Sequence, residues 1–126
     1  MKISIMDTTL RDGEQTSGVN FTYGEKLSMA RLLMEELKVD YLEVASARVS
    51  EGEHEAVKKI AEWAEKHDCL KKIEVLGFVD GKTSVNWIHE AGCKTINLLT
   101  KGSLEHVTHQ LRKSPEEHLE DIIEVI

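Results

Sequence analysis

The sequence has few of the residues that stabilise small extracellular or fibrous proteins. Its 126 residues include two cysteines, Cys69 and Cys93, and one proline. Two cysteines without C-x-x-C spacing cannot form a disulfide framework, and they predict reduced thiols in a cytoplasmic protein. One proline and eight glycines exclude collagen-like and proline-rich linker sequences. Hydrophobic residues at 40% and charged residues at 31% are typical of a single globular domain.

Positive charge is also scarce, because 16 Lys and Arg face 23 Asp and Glu, for a net charge of −7. We therefore expect neither a nucleic-acid nor a membrane partner, since both attract basic surfaces. No apolar run approaches the roughly 18 residues of a membrane span. No apolar stretch of signal-peptide length precedes Asp7. The sequence contains neither a glycine-rich nucleotide-binding motif nor the His-Glu-x-x-His motif of metalloproteases.

Short apolar runs alternate with helical patterns along the chain. The runs are rich in Ile, Val and Leu, which predicts parallel strands buried on both faces. They span residues 3–6, 41–45, 73–78 and 95–99. Helix-start signals follow at Thr22, Ser50 and Ser114. Strands that alternate with helices predict right-handed βαβ units and a parallel sheet.

The helical patterns predict which residues face the core. In the first pattern one apolar stripe contains Leu27, Ala30, Met34 and Leu37. The six histidines fall in polar helical stretches, so we expect them on exposed faces. They are His54, His67, His89, His106, His109 and His118. The last pattern reaches Ile126 without a stop signal, so we expect further structure to follow.

Polar side chains concentrate directly after the first predicted strand. Residues 7–15 read Asp-Thr-Thr-Leu-Arg-Asp-Gly-Glu-Gln, at the end of the strand where parallel α/β folds bind ligands. A solvated loop with turn-forming residues is one interpretation. In the other, a carboxylate beside a guanidinium binds a divalent cation while the arginine faces a substrate oxygen, which stabilises an enolate. Oxygen ligands suit Mg or Mn, and added imidazole suits Zn.

Three residues within the later strands are further candidates. Glu43 lies inside a predicted strand, where a charge is costly unless it is paired. Arg11 could pair with it across the strand ends, and an outward-facing edge position is the alternative. Leu76 and Leu99 belong either to the core or to the lining of a small apolar pocket at the strand ends.

Residues 7–15 resemble the opening signature of the acyl-CoA-condensing and acyl-CoA-cleaving TIM barrels. This family includes 2-isopropylmalate, citramalate and homocitrate synthases and hydroxymethylglutaryl-CoA lyase. Residues 45–53, 76–81 and 97–103 are most similar to the citramalate and isopropylmalate synthase branch. The resemblance implies an α/β fold in which a parallel (βα)4 segment forms the first half of a (β/α)8 barrel. Residues 1–126 would then be an incomplete N-terminal part of the catalytic domain.

The resemblance also implies a reaction and a role for each candidate. Acetyl-CoA, the co-substrate, would condense with pyruvate or 2-oxoisovalerate in leucine or isoleucine biosynthesis, and the thioester would then be hydrolysed. The full-length enzyme would be a homodimer. The implied roles are oxyanion stabilisation by Arg11, divalent-metal (Mn, Mg or Zn) ligation by Asp12, substrate positioning by Gln15, orientation of Arg11 by Glu43, and lining of the 2-oxo-acid pocket by Leu76 and Leu99.

One feature of the family pattern is missing. The family's other metal ligands come from a His-x-His pair late in the barrel, and no His-x-His occurs in these 126 residues. We therefore expect the chain to be a fragment, or a half that must pair, and to be inactive by itself. Two alternatives stay open: a lyase of the same superfamily that cleaves a carbon–carbon bond, and a non-catalytic half barrel that self-associates through its open strand edges.

Overall fold

The computed structural model describes residues 3–126, which form one four-stranded sheet. The strand order is β1-β2-β3-β4, and each neighbouring pair is parallel. The strands are β1 (Met6–Asp7), β2 (Tyr41–Ser46), β3 (Ile73–Phe78) and β4 (Thr95–Leu99). Parallel strands in sequence order, joined by helical connections, confirm the predicted (βα)4 segment. A (β/α)8 barrel contains eight such strands, so four make half of its sheet.

Four α-helices connect or follow the strands. They are α1 (Tyr23–Arg31), α2 (Glu51–Lys66), α3 (Thr83–Glu90) and α4 (Pro115–Val125), with π-helical turns at Leu32–Glu36 and His106–Leu111 and 3-10 turns at Gly13–Gln15 and Leu70–Lys72. The predicted caps are confirmed, because the hydroxyls of Thr22, Ser50 and Ser114 each accept a hydrogen bond from the amide three residues later. Within residues 3–126, no helix is both long and apolar enough to cross a membrane.

The sheet has two chemically different faces. Leu42 of β2 and Ile73 of β3 belong to the same buried cluster as Ile60 of α2, so this face packs on the helices. Side chains alternate along a strand, so Glu43 and Glu74 point to the opposite side. We call that side the inner face, and its members are Glu43, Glu74, Leu76, Asn97 and Leu99. The inner face therefore carries Glu43, Glu74 and Asn97 as polar side chains beside two leucines, whereas the outer face is apolar.

The predictions for the first strand and for the sheet edges were wrong. The strand spans only Met6–Asp7 rather than residues 3–6, and Ile3 and Ile5 are 72% and 62% exposed. Leu99, at the opposite edge, is 47% exposed. Within the described residues, β1 and β4 each have one neighbouring strand. Most residues of β2 and β3 are buried, whereas those of the edge strands β1 and β4 are half-buried or exposed.

The predicted stripe on the first helix also needs correction. Ala30 is fully buried, but Leu37 is 68% exposed. The amide of Leu37 bonds to the carbonyl of Leu32, five residues earlier, in the π-helical turn that follows α1. A π turn inserts one residue relative to the α-helical repeat, so it rotates the later side chains about the helix axis. The apolar residue that becomes buried at this end is Val39.

A buried lysine, which the sequence pattern did not reveal, ties the first loop to the helices. Lys26 of α1 is fully buried. Its ammonium lies 2.6 Å from Glu14 Oε2 and 2.7 Å from both carboxylate oxygens of Glu53 in α2. The carbonyl of Val44 in β2 lies 3.5 Å away. One charged group thus joins the loop after β1, two helices and a central strand.

We predict that Lys26→Met lowers the free energy of unfolding by about 3 kcal/mol. Removing one member of a buried ion pair leaves the others without compensation, and here Glu14 and Glu53 would face each other. Urea unfolding followed by circular dichroism measures the change. The control is Lys59→Met, because Lys59 pairs with Glu55 at the surface and its loss should cost no more than about 0.5 kcal/mol. Equal losses for the two variants would contradict this account of Lys26.

Candidate active site

Glu43 is the centre of the polar inner face. Its side chain has no exposed surface, and both carboxylate oxygens accept hydrogen bonds. Arg11 Nε donates to Oε2 at 2.6 Å, and Asn97 Nδ2 donates to Oε1 at 2.8 Å. These bonds offset the cost of burying the charge. The outward-facing interpretation of Glu43 was wrong, and the structure contains the contact with Arg11 that the sequence suggested.

The loop after β1 holds Arg11 at the carboxyl end of the strand. The amides of Arg11, Asp12 and Gly13 all point to the carbonyl of Thr8, at 2.8–3.2 Å. Leu10 is fully buried beneath this turn. Arg11 Nη1 donates to Asp12 Oδ1 at 2.9 Å, and the Asp12 side chain is 63% exposed. The guanidinium is therefore held on one edge by Glu43 and on another by Asp12.

A cleft of about 320 Å³ opens beside this guanidinium. Arg11 and Gln15 both line it, so the structure brings together two of the predicted substrate-binding residues. Ser46, at the end of β2, and Ser50, which caps α2, add hydroxyl groups to the wall. The cleft therefore offers the guanidinium of Arg11 and several neutral hydrogen-bonding groups, together with the carboxylates of Glu14 and Glu53. Both carboxylates are paired with the buried Lys26, so the Arg11 side of the cleft is the part that suits a small anionic ligand.

The two predicted pocket leucines lie elsewhere on the inner face. Leu76 is buried, and Leu99 lines a second cavity of about 230 Å³ with Phe78, Leu111 and His118 among its neighbours. The second cavity shares no lining residue with the Arg11 cleft. Within the described part of the chain, Leu76 and Leu99 are thus not joined to Arg11 in one cavity. Their role in binding a 2-oxo acid stays a prediction.

The residues present do not form a complete metal site. No group of three or more His, Cys, Asp or Glu side chains in residues 3–126 is placed to hold an ion. Asp12 offers one exposed carboxylate, which also bonds to Arg11. Divalent cations of the Mg and Ca type need about six oxygen ligands. Asp12 alone could supply one of them, so its predicted role as a metal ligand stays a prediction.

The prediction that all six histidines are exposed was wrong for two of them, His118 and His54. His118 is 5% exposed, and its Nε2 lies 3.2 Å from the carbonyl oxygen of Lys101, while its Nδ1 has no hydrogen-bond partner among residues 3–126. His118 is buried because α4 packs its first turns against the segment after β4. His54 is half-buried against Trp87, with ring centroids 4.9 Å apart. The other four are exposed as predicted: His67, His89, His106 and His109.

Neither cysteine has the character of a nucleophile. Both are free thiols. Burial raises the pKa of Cys93 to about 12, and burial also raises the pKa of Cys69. The thiolate is the reactive form of cysteine. Both thiols therefore favour the protonated, unreactive form.

Comparisons with known proteins identify the family. A parallel βα sheet with a charged cleft at its strand ends is the arrangement of (β/α)-barrel enzymes. The HMGL-like family model matches residues 2–126, so the chain belongs to the HMGL-like family. The 2-isopropylmalate synthase of Geobacillus kaustophilus is 37% identical over 130 residues, which cover 99% of this chain and 24% of the relative.

Citramalate synthases are similar to this chain to the same degree. The putative (R)-citramalate synthase of Methanothermobacter thermautotrophicus is 38% identical over 98% of this chain and 24% of its own length. The (R)-citramalate synthase of Methanocaldococcus jannaschii is 34% identical over 100% of this chain and 24% of its own length. The chain thus spans about a quarter of the length of the curated relatives it matches.

A like-charge pair on the inner face gives a pH-dependent prediction. Glu74 is the register partner of Glu43, and burial, followed by the negative charge of Glu43, raises the pKa of Glu74. A carboxyl whose folded pKa is raised binds its proton more tightly in the folded state. It therefore destabilises the fold at neutral pH, and the penalty disappears as the pH falls through the folded pKa.

We predict that Glu74→Gln raises the free energy of unfolding at pH 7 by about 0.5 kcal/mol, the scale of a like-charge cross-strand pair. The gain should shrink as the pH is lowered towards about 4, where glutamates become protonated. Urea titrations across this range measure it. Glu120→Gln, an exposed site on α4, is the control. A gain that does not depend on pH would contradict the electrostatic explanation.

Proposed function

We propose that this chain is part of the catalytic domain of an acyltransferase that condenses acetyl-CoA with a short 2-oxo acid. The observation that carries the proposal is a guanidinium fixed by a buried carboxylate at the mouth of a cleft, formed by Arg11 and Glu43. The similarity to 2-isopropylmalate and (R)-citramalate synthases supports this class of reaction. Pyruvate and 2-oxoisovalerate are the two candidate 2-oxo acids.

The chemistry of the condensation suits a fixed cation. The methyl group of acetyl-CoA loses a proton to a base, and the resulting enolate carbon bonds to the ketone carbon of the 2-oxo acid, whose oxygen gains negative charge and then takes up a proton. Water then cleaves the thioester and releases the CoA thiol. Arg11 stays protonated throughout, so its N–H groups can donate to a developing oxyanion. Within residues 3–126, its Nη2 makes no hydrogen bond and is free to face a substrate.

The remaining roles follow from position and chemistry. Gln15 and the two serines of the cleft would hydrogen-bond the carboxylate of the 2-oxo acid. In the full-length enzyme Leu76 and Leu99 would form its apolar pocket, although within residues 3–126 they share no cavity with Arg11. One methylene of fit in such a pocket is worth about 1–3 kcal/mol. Asp12 would supply one ligand to a Mn, Mg or Zn ion, which would polarise the ketone. We further propose a homodimeric full-length enzyme, and a cytoplasmic location because the two thiols are unpaired.

The test is a chimera of the Methanocaldococcus jannaschii (R)-citramalate synthase in which residues 1–126 of this chain replace the matching segment. Thiol release from acetyl-CoA is measured with pyruvate or 2-oxoisovalerate, in Mn²⁺ or Mg²⁺. We expect turnover, and we expect Arg11→Lys to lower kcat by about 10²–10³, the effect of removing one oxyanion donor. Lysine lacks the planar fork that both Glu43 and a substrate oxygen require.

Two controls keep the outcome interpretable. Arg112→Lys changes an exposed arginine outside the cleft and should leave kcat unaltered, and this chain by itself should release no thiol above the blank. A folded chimera in which Arg11→Lys is as active as the unmodified chimera would overturn the proposal. Faster cleavage of a 3-hydroxyacyl-CoA than condensation would replace the synthase with the lyase alternative.

A further inference from the structure

We propose that Asn97 is a positioning residue that sets the orientation of Arg11 through Glu43. The functional meaning of this inference rests on the proposed role of Arg11, but the geometry does not. Asn97 Nδ2 lies 2.8 Å from Glu43 Oε1, and Arg11 Nε lies 2.6 Å from Glu43 Oε2. The three side chains therefore form one hydrogen-bonded chain from β4 to the loop after β1.

The bond between Asn97 and Glu43 crosses an entire strand. Glu43 lies on β2 beside Glu74, and Asn97 lies on β4 beside Leu76, so β3 runs between them. Strands two positions apart are about 9–10 Å apart in a flat sheet. The two short side chains can meet only if each leans over β3 towards the other. This requirement restricts the rotamers of both residues.

The second hydrogen bond determines the plane of the carboxylate. A glutamate held at one oxygen can still turn about its terminal bond, which is a soft, roughly two-fold torsion. With Oε1 bound to Asn97 and Oε2 bound to Arg11, that rotation is blocked. Asn97 is also a neutral donor, so it satisfies Oε1 without competing with the charge of Arg11. Loss of this donor would leave a buried carboxylate oxygen that could turn towards another N–H of Arg11.

The consequence reaches the cleft although Asn97 does not line it. Arg11 lines the cleft and Asn97 is absent from its wall, so any effect of Asn97 there passes through Glu43. Rotation of the carboxylate would tilt the guanidinium plane and move Nη2. Misplacement of a reacting or stabilising group by about 1 Å can cost 10²-fold in rate. A residue two strands away would thereby set the position of the proposed oxyanion donor.

The test is the side-chain N–H of Arg11, observed by ¹⁵N-edited NMR on this chain. We expect Asn97→Leu, which keeps the number and branching of the side-chain heavy atoms but removes the donor, to accelerate solvent exchange of the Arg11 Nε proton about five- to tenfold, the scale of one hydrogen bond. Asn97→His keeps an N–H donor and should restore the exchange rate to within about twofold of wild type. Asn86→Leu, at an exposed position on α3, should change nothing.

A folded Asn97→Leu chain with wild-type exchange at Arg11 would overturn the inference. A second test uses the unmodified chain, so it does not depend on whether a variant folds. There, the Asn97 side-chain amide should exchange at least about fivefold more slowly than that of exposed Asn86, and equal rates would refute the bond to Glu43. Both exchange measurements are made without turnover, so they test the Asn97 inference alone. Failure of the proposed function would be seen in the other experiment, as an active chimera whose kcat is not changed by Arg11→Lys.

Discussion

A single carboxylate buried on the inner face of the sheet is the constraint on which the candidate site depends. Glu43 has no exposed surface, and burial of a carboxylate costs several kcal/mol unless its oxygens are hydrogen-bonded. Arg11 and Asn97 supply those bonds from the loop after β1 and from β4. The requirement to satisfy one buried charge therefore links both edges of the described sheet to its centre. It also leaves one end of the arginine available at the cleft.

The loop that carries Arg11 is fixed from a second side by Lys26. Glu14, three residues after Arg11, forms an ion pair with this buried ammonium, which also pairs with Glu53 of α2. Leu10 is buried between these anchors. The loop is thus held to the inner face through a cation and to the helical layer through an anion. In the Arg11–Glu43 pair the loop contributes the cation, and in the Glu14–Lys26 pair it contributes the anion. Together the two ion pairs hold a short polar loop in one conformation, which a binding site requires.

Local features were predictable from the sequence, and features that depend on register were not. The bounds of β3 and β4 and the caps at Thr22 and Ser114 follow from alternation and capping chemistry within a few residues. Burial of Lys26 depends on Glu53, 27 positions later, and the role of Asn97 depends on Glu43, 54 positions earlier. The hydrophobic periodicity around Lys26 or Asn97 does not indicate which distant residue each will contact. The π-helical turn that exposes Leu37 also departs from the 3.6-residue period on which the predicted stripe was based.

The most direct test of the central claim is a double-mutant cycle of Arg11→Met and Glu43→Gln, with the free energy of unfolding measured by urea titration. The cycle isolates the interaction between the two side chains from the cost of each substitution. If the buried pair organises the site, the coupling energy should be about 2–3 kcal/mol, well above that of a surface pair. A coupling energy below about 0.5 kcal/mol, the value of an exposed ion pair, would show that the fold does not depend on this contact.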